Sequence, residues 1–513
     1  MRPLLSFFSS LRLALLAGVS SMSLFAQHPD AVEQNLKKAG ENRPELEKAI
    51  SYCQKTGDSE KLKAMYFLIA NMDIHTTSDY YWENKEGEKI AYNELNYPDF
   101  EQASIAFEAI KEKNPGLHPK TVIYKDLETL KGDLLIDNLE KSFAAWKSSP
   151  VKDISFEEFC QYILPYRIGV EPVQNWRAAY GAKFNWIPNK VQDVGLEATI
   201  PYLADEAYSW FTNTWGKGGR KEPLPELGSM QLLMRKQGTC GDLANLGVFT
   251  MRSAGIPATV SLIPYWATST GGHTTNTFFD RNNKAVAFDY GSKEINTKLQ
   301  REPAKVLRYT YSKQSETLAS FENQNNIPRG YLQDQNYIDV TSDYWPTRDV
   351  KYNSLYPVAD TPKTVYISTF NGLKWQPFWW GKVNGNQTQF NKIAMGTVIL
   401  PQYYSNEKMA PAGPPILIGD KENRLLVPNL AVTRDVLITQ LANYLIFKPN
   451  VTYKLFYWND SWRLIDSQTA AENIQSLLFK KVPTNALLLL LSSASKGLER
   501  PFVVDDKGER TWF

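Results

Sequence analysis

Cysteine and histidine are scarce in this 513-residue chain, at three and four residues. The histidines, His28, His75, His118 and His273, are too scattered to form an evident zinc motif, and no His-Glu-x-x-His occurs. Metal-assisted hydrolysis therefore has no support, and no metal or other cofactor is expected. A Gly-x-Ser-x-Gly elbow is also missing. The run Gly216-Lys217-Gly218-Gly219-Arg220 lacks the spacing of a phosphate-binding loop and reads as an exposed loop. A formal net charge of +2 gives no electrostatic reason to expect a nucleic-acid partner. Beyond the amino terminus, no stretch is apolar over the roughly 20 residues that a membrane-spanning helix needs.

What is present begins with an amino-terminal targeting pattern. Arg2 and Arg12 accompany an apolar run from Leu11 to Val19, and small polar residues and Leu24-Phe25-Ala26 follow. Residues 1–26 are expected to be a signal peptide cleaved after Ala26, which makes the protein exported: periplasmic, cell-surface or secreted. A membrane anchor is the alternative, but the run is short for one, and no Cys lies near the cleavage point to carry a lipid. In an oxidising compartment the odd set Cys53, Cys160 and Cys240 leaves at least one thiol unpaired. Cys53 and Cys160 have apolar helical surroundings, so burial or a mutual disulfide accounts for them. Cys240 does not fit that description.

The length exceeds what one hydrophobic core supports and implies several domains. From 27 to 165 the texture is helical, with Leu46, Ile50 and Cys53, then Leu62, Met65 and Ile69, recurring at helical spacing. Pro165, Gly169 and Pro172 mark the passage to a second region, 166–335. After about Asp339, short aromatic and β-branched runs such as Thr364-Val365-Tyr366-Ile367 alternate with turn residues, a β-sandwich pattern. Phe370-Asn371-Gly372-Leu373-Lys374-Trp375 is echoed by Trp458-Asn459-Asp460-Ser461-Trp462, which suggests two related β modules, 336–440 and 441–513. The fold class is α+β. Aromatic residues make up 13% of the chain, and Trp375, Trp379 and Trp380 are candidates for stacking on a sugar ring, although most aromatics in a β-sandwich are core.

The most informative stretch is Gly238-Thr239-Cys240-Gly241-Asp242, followed by Leu243, Leu246, Met251 and Ala254 at helical spacing and by Gly255 and Pro257 as a stop. Cys240 thus opens a helix, where unpaired N–H groups and the dipole favour a thiolate. A strand from Ala258 to Ile263, a loop through Gly272, a strand led by His273, a turn, and the strand Ala285-Val286-Ala287-Phe288 ending at Asp289 come next. A helix-borne Cys with His and Asp on adjacent strands lets imidazole take the thiol proton while a buried carboxylate orients the ring. Asp242 reads as a helix-start carboxylate.

The order Cys240, His273, Asp289, the Arg252-Ser253-Ala254-Gly255-Ile256-Pro257 segment and the Phe288-Asp289 strand end resemble the transglutaminase-like superfamily. Tyr166 to Glu171, with Trp176-Arg177, is similar to the lead-in of exported bacterial proteins of this type that carry carboxyl-terminal β domains. The resemblance implies a papain-like core and acyl transfer from an amide through a thioester on Cys240. One departure concerns substrate choice: many relatives follow the His with Ala-Trp, whereas Thr274-Thr275 stand here, removing an aromatic wall. The Cys240 N–H should serve an oxyanion hole, with Gln231 or Trp176 as the second donor. The expected substrate is a peptide, glycopeptide or cell-envelope amide. A non-catalytic scaffold whose β domains bind glycan or envelope is the competing reading.

Overall fold

The computed structural model describes residues 28–214, 216–221, 224–296, 298–353, 355–358, 362–442 and 444–513. The expected signal peptide lies outside the described residues. No helix among them is long and apolar enough to cross a membrane.

Helices Asp30–Lys38, Arg43–Thr56, Ser59–Asn71, Gly132–Lys147 and Phe156–Tyr162 bury Leu46, Ile50, Met65, Ile69, Leu139 and Phe159 in one cluster, with Leu62 at its edge. Cys53 and Cys160 sit in that cluster as free thiols, each pushed up to about 12 by burial. The region is not wholly helical. Thr76–Glu83 pairs in antiparallel register with His118–Lys125 and with Lys89–Ile90, forming a three-stranded sheet. The alternation in Thr76-Thr77-Ser78-Asp79-Tyr80-Tyr81-Trp82 carries that strand, but its main partner arrives only after the helix Phe100–Lys113, a pairing that local spacing does not display.

Buried ion pairs join this region to the next. Asp126 takes hydrogen bonds from Arg167, Tyr166 and Thr77, and Arg235 pairs with Glu94 at 2.7 Å. The segment around Arg167 is thus a structural joint: Glu171 accepts the N–H groups of Ile168 and Gly169, while Arg177 donates to the carbonyls of Ile163, Leu164 and Pro165.

The central region holds a five-stranded antiparallel sheet in the order Tyr337–Asp339, Leu307–Tyr309, Ala258–Ile263, His273–Phe279, Ala285–Phe288. The helix Cys240–Ser253 packs across its middle strands, burying Leu246, Val248, Phe249 and Met251. The sheet's edge strand Tyr337–Asp339 therefore falls beyond residue 335, inside the span expected to open the first β module.

That module is an eight-stranded antiparallel sheet running 347–352, 387–394, 374–384, 364–371, 397–405, 416–418, 423–425, with 408–411 paired to 397–405. Val350 and Phe390, from one end of the path, share a core with Ile367, Ile399 and Ile416, so the sheet folds over on itself into two layers. The same core takes in Ala267, Leu307, Leu318, Ile327 and Tyr337 of the central region. The last module begins before residue 441, the expected boundary, because Asn429–Thr439 pairs with Ser476–Thr484; that pair and a five-stranded sheet cover a separate core of Val436, Ile438, Leu455, Phe479 and Phe502.

Candidate active site

Thr239 starts the central helix. Its hydroxyl accepts the N–H of Asp242, whose carboxylate accepts the N–H of Thr239 at 2.7 Å, a reciprocal cap. Asp242 also pairs with buried Arg220 at 3.2 Å, so this carboxylate serves the helix start. Cys240 is the first helical residue. Strand register then sets the other two groups: His273 opens the strand opposite Ile263, and Phe288, opposite Asn276, delivers Asp289 at the next position. Asn276 ties helix to strands, donating to Ala244 O at 2.7 Å and accepting the N–H of Tyr290.

His273 Nε2 lies 3.0 Å from Asp289 Oδ1, which leaves Nδ1 for the thiol of Cys240, within hydrogen-bonding reach. The hydrogen bond from His273 holds the Cys240 thiol below its ordinary value against the opposing effect of burial; the imidazolium charge and the N–H groups of Thr274 and Gly241 add to the lowering. Burial would lower His273, but the hydrogen bonds and charges of Asp289 and Cys240 outweigh it and raise the imidazole to about 10. Each group thus favours the charged form of the other, thiolate beside imidazolium. Asp289 departs from the buried partner expected, being 49% exposed beside a half-buried imidazole. The cause is its position just past the edge strand of the sheet, where among the described residues only the Phe288–Ile295 bridge adjoins it.

Residues 191–290 match the family model of the transglutaminase-like superfamily. That segment, which ends one residue past Asp289, is similar to a transglutaminase-like core. A solved structure of red sea bream transglutaminase aligns over 86% of this chain and 77% of its own, at 10% identity and a TM-score of 0.23, too loose a likeness to compare sites. No curated protein matches the sequence.

Two cavities flank the group formed by Cys240, His273 and Asp289. One, of about 220 Å³, lies on the side of His273 and Asp289 and is lined by Trp266, Ser292, Lys298 and Tyr344. The other, of about 400 Å³, borders Thr239, Gly241 and Asp242 on the Cys240 side together with Thr274. The side chains expected to complete an oxyanion hole are committed elsewhere. Gln231 accepts from Gly228 N and donates to the Tyr80 hydroxyl, while the indole N–H of Trp176 donates to Tyr166 O in the core. The N–H groups of Gly241 and Thr274, already directed at the sulfur, are the donors the geometry offers.

Two contributors had no local signature. Trp266 lies nearly parallel to His273, with centroids 6.3 Å apart and planes at 17°, and restores an aromatic wall from the loop preceding the His rather than from the residues following it. Asn371 of the first β module grips that loop. Its amide donates to the carbonyls of Trp266, Ser269 and Gly271 at 3.0, 2.8 and 2.9 Å and accepts the N–H of Gly271 at 3.0 Å.

The three tryptophans divide. Trp375 packs edge-on to Trp458 and Phe370 in the cluster between the β modules. Trp379 and Trp380 stack 5.9 Å apart and line a cavity of about 530 Å³ with Lys382, Gln389 and Asn391. Trp379 is nevertheless largely buried, under the ammonium of Lys305.

Proposed function

We propose that the protein is an exported cysteine enzyme that acts on amide bonds, as a peptidase or amidase or by acyl transfer. One observation carries the reading: a helix-start thiol, lowered by an imidazole that is itself held by a carboxylate 3.0 Å away. In this reading the Cys240 thiolate adds to the amide carbonyl and the Gly241 and Thr274 N–H groups receive the oxyanion. The amine leaves with the proton of the His273 imidazolium, and a thioester remains. Water, or a second amine, then adds to the thioester while His273 takes its proton, and the thiolate is released. Asp289 steadies the imidazolium through both steps.

The test is Cys240 reactivity. Iodoacetamide at neutral pH should modify Cys240 faster than a model thiol, and His273→Ala should remove the advantage. Equal rates in wild type, model thiol and variant would sink the enzyme reading. The competing role, glycan or envelope binding on a silent scaffold, is favoured by one feature, the Trp379–Trp380 cavity with the Trp380 N–H unpartnered among the described residues. Binding of soluble glycans lost in Trp380→Ala, with Cys240 inert, would favour that role.

A further inference from the structure

The cavity on the Cys240 side contains a group that the reaction above does not use. Four carboxylates line it: Glu171, Glu226, Asp242 and Asp334. Three are spoken for, Glu171 by two backbone N–H groups, Glu226 by Lys217, and Asp242 by its cap and Arg220. Lys217, the cavity's one lysine among the described residues, is thereby occupied too. Asp334 follows the short turn Tyr331–Gln333, and among the described residues nothing donates to its carboxylate. Tyr309 and Tyr331 line the cavity with it, and the Tyr309 ring senses the Asp334 charge more strongly than any other. Asn245, on the second turn of the Cys240 helix, faces the same space.

A half-buried carboxylate without a donor is costly, and its partial withdrawal from water pushes Asp334 up to about 7. A proton relieves that cost near neutral pH, and above it, with the carboxylate ionised, a cation brought in from outside does so, which the two tyrosine rings favour as well. Thr239 and Gly241, on either side of Cys240, line the cavity together with Asp334, so a group seated at Asp334 lies in the cleft beside the helix start that carries the thiol. Resting on the reading of Cys240 as nucleophile, we propose that this cleft receives an alkylammonium group on the acyl part of the amide substrate, with Asp334 as its counter-charge and Tyr309 and Tyr331 as its walls. The substrate class is then an amide whose acyl portion carries a primary ammonium, either a free α-amine or a side-chain amine.

Thiol-reactive methanethiosulfonates with ammonium tails of two or six carbons, compared with the neutral methyl reagent, test this on the full chain at pH 8. Expected is a preference of about tenfold for an ammonium reagent at Cys240, the scale of one ion pair in a partly solvated site. Asp334→Asn should abolish the preference without changing the neutral rate, and that unchanged rate also reports an intact fold. Glu226→Gln, whose carboxylate is already paired, should keep it. Preference for the shorter tail assigns an α-amine and for the longer tail a side-chain amine. A fast neutral reaction without ammonium preference, or a preference that survives Asp334→Asn or disappears in Glu226→Gln, overturns the assignment to Asp334 alone. A neutral rate no faster than a model thiol removes the nucleophile and the inference together.

Discussion

The two β modules are built alike and used differently. In the first, Thr364–Asn371 lies between Lys374–Asn384 and Thr397–Ser405; in the second, Thr452–Trp458 lies between Trp462–Thr469 and Leu488–Ser492. Even the irregularities correspond, with register shifts between Ile367 and Ser368 and between Leu455 and Phe456. Their hairpin tips differ. The first closes on the pair Asn371 and Lys374 around Gly372 and Leu373, both at positive φ, which leaves Asn371 as a strand residue whose amide is free to reach across. The second closes on Trp458 and Trp462 around a three-residue loop that contains Asn459. So the first module holds the loop before His273 and shares its core with the central region, whereas the second touches that loop through Arg500, which donates to Thr268 O. Of two units with the same strand pairing, the first acquires a role at the site by where its turn begins.

The largest effect that could break this comparison is in the cores. Phe378→Ala should cost about 3–5 kcal/mol and shift the denaturant midpoint at which Cys240 becomes freely alkylated, because its core includes Leu307 and Tyr337. Phe479→Ala, in the separate core, should lose a similar amount locally and leave that midpoint in place. Identical shifts would erase the distinction between the modules.

At the site, wild-type alkylation should set in at lower pH than that of a model thiol, since the hydrogen bond and charge of His273 lower the Cys240 thiol. In His273→Ala the rate should instead rise with pH through the ordinary thiol range near about 8.5. Asp289→Asn should move the profile the same way by less, given the exposure of that carboxylate, and an unchanged profile would remove Asp289 from the site.

Asn371→Ala should free the 264–272 loop at a cost of about 1–3 kcal/mol, read as faster amide exchange there and slower Cys240 alkylation. Asn459→Ala should change neither. The smallest effect is expected for Arg500→Ala, less than about 1 kcal/mol in the same exchange measurement; an effect as large as that of Asn371→Ala would make the second module an equal support.

Legibility followed range. The helix Cys240–Ser253 was readable from its apolar spacing and the Gly255 and Pro257 stop, and the strands Ala258–Ile263 and Ala285–Phe288 from their β-branched and aromatic runs between turns, whereas the Thr239 cap was not read. Leu307–Tyr309 and Tyr337–Asp339 are three residues each and show no period, so the far half of the sheet was invisible. Trp176 and Gln231 were placed near the chemistry by sequence order, but a large indole and a buried amide are satisfied by whichever carbonyl or hydroxyl packing presents. Asn371 looked like half of a turn signal, and the shift of the turn by one residue made it a clamp.

By itself, the sequence determined the chemistry available and its local presentation: a thiol at a capped helix start, a histidine at a strand start and an aspartate at a strand end, because caps, helical spacing and turn residues act over a few positions. Only the tertiary structure decided which groups surround that chemistry. Trp266 beside His273, Asn371 on its loop and Asp334, without a donor among the described residues, in the cavity that Thr239 and Gly241 line come from segments far apart in the chain. Their meeting is fixed by long-range strand pairing and a shared core, and the free energy of those contacts is not written in any one segment.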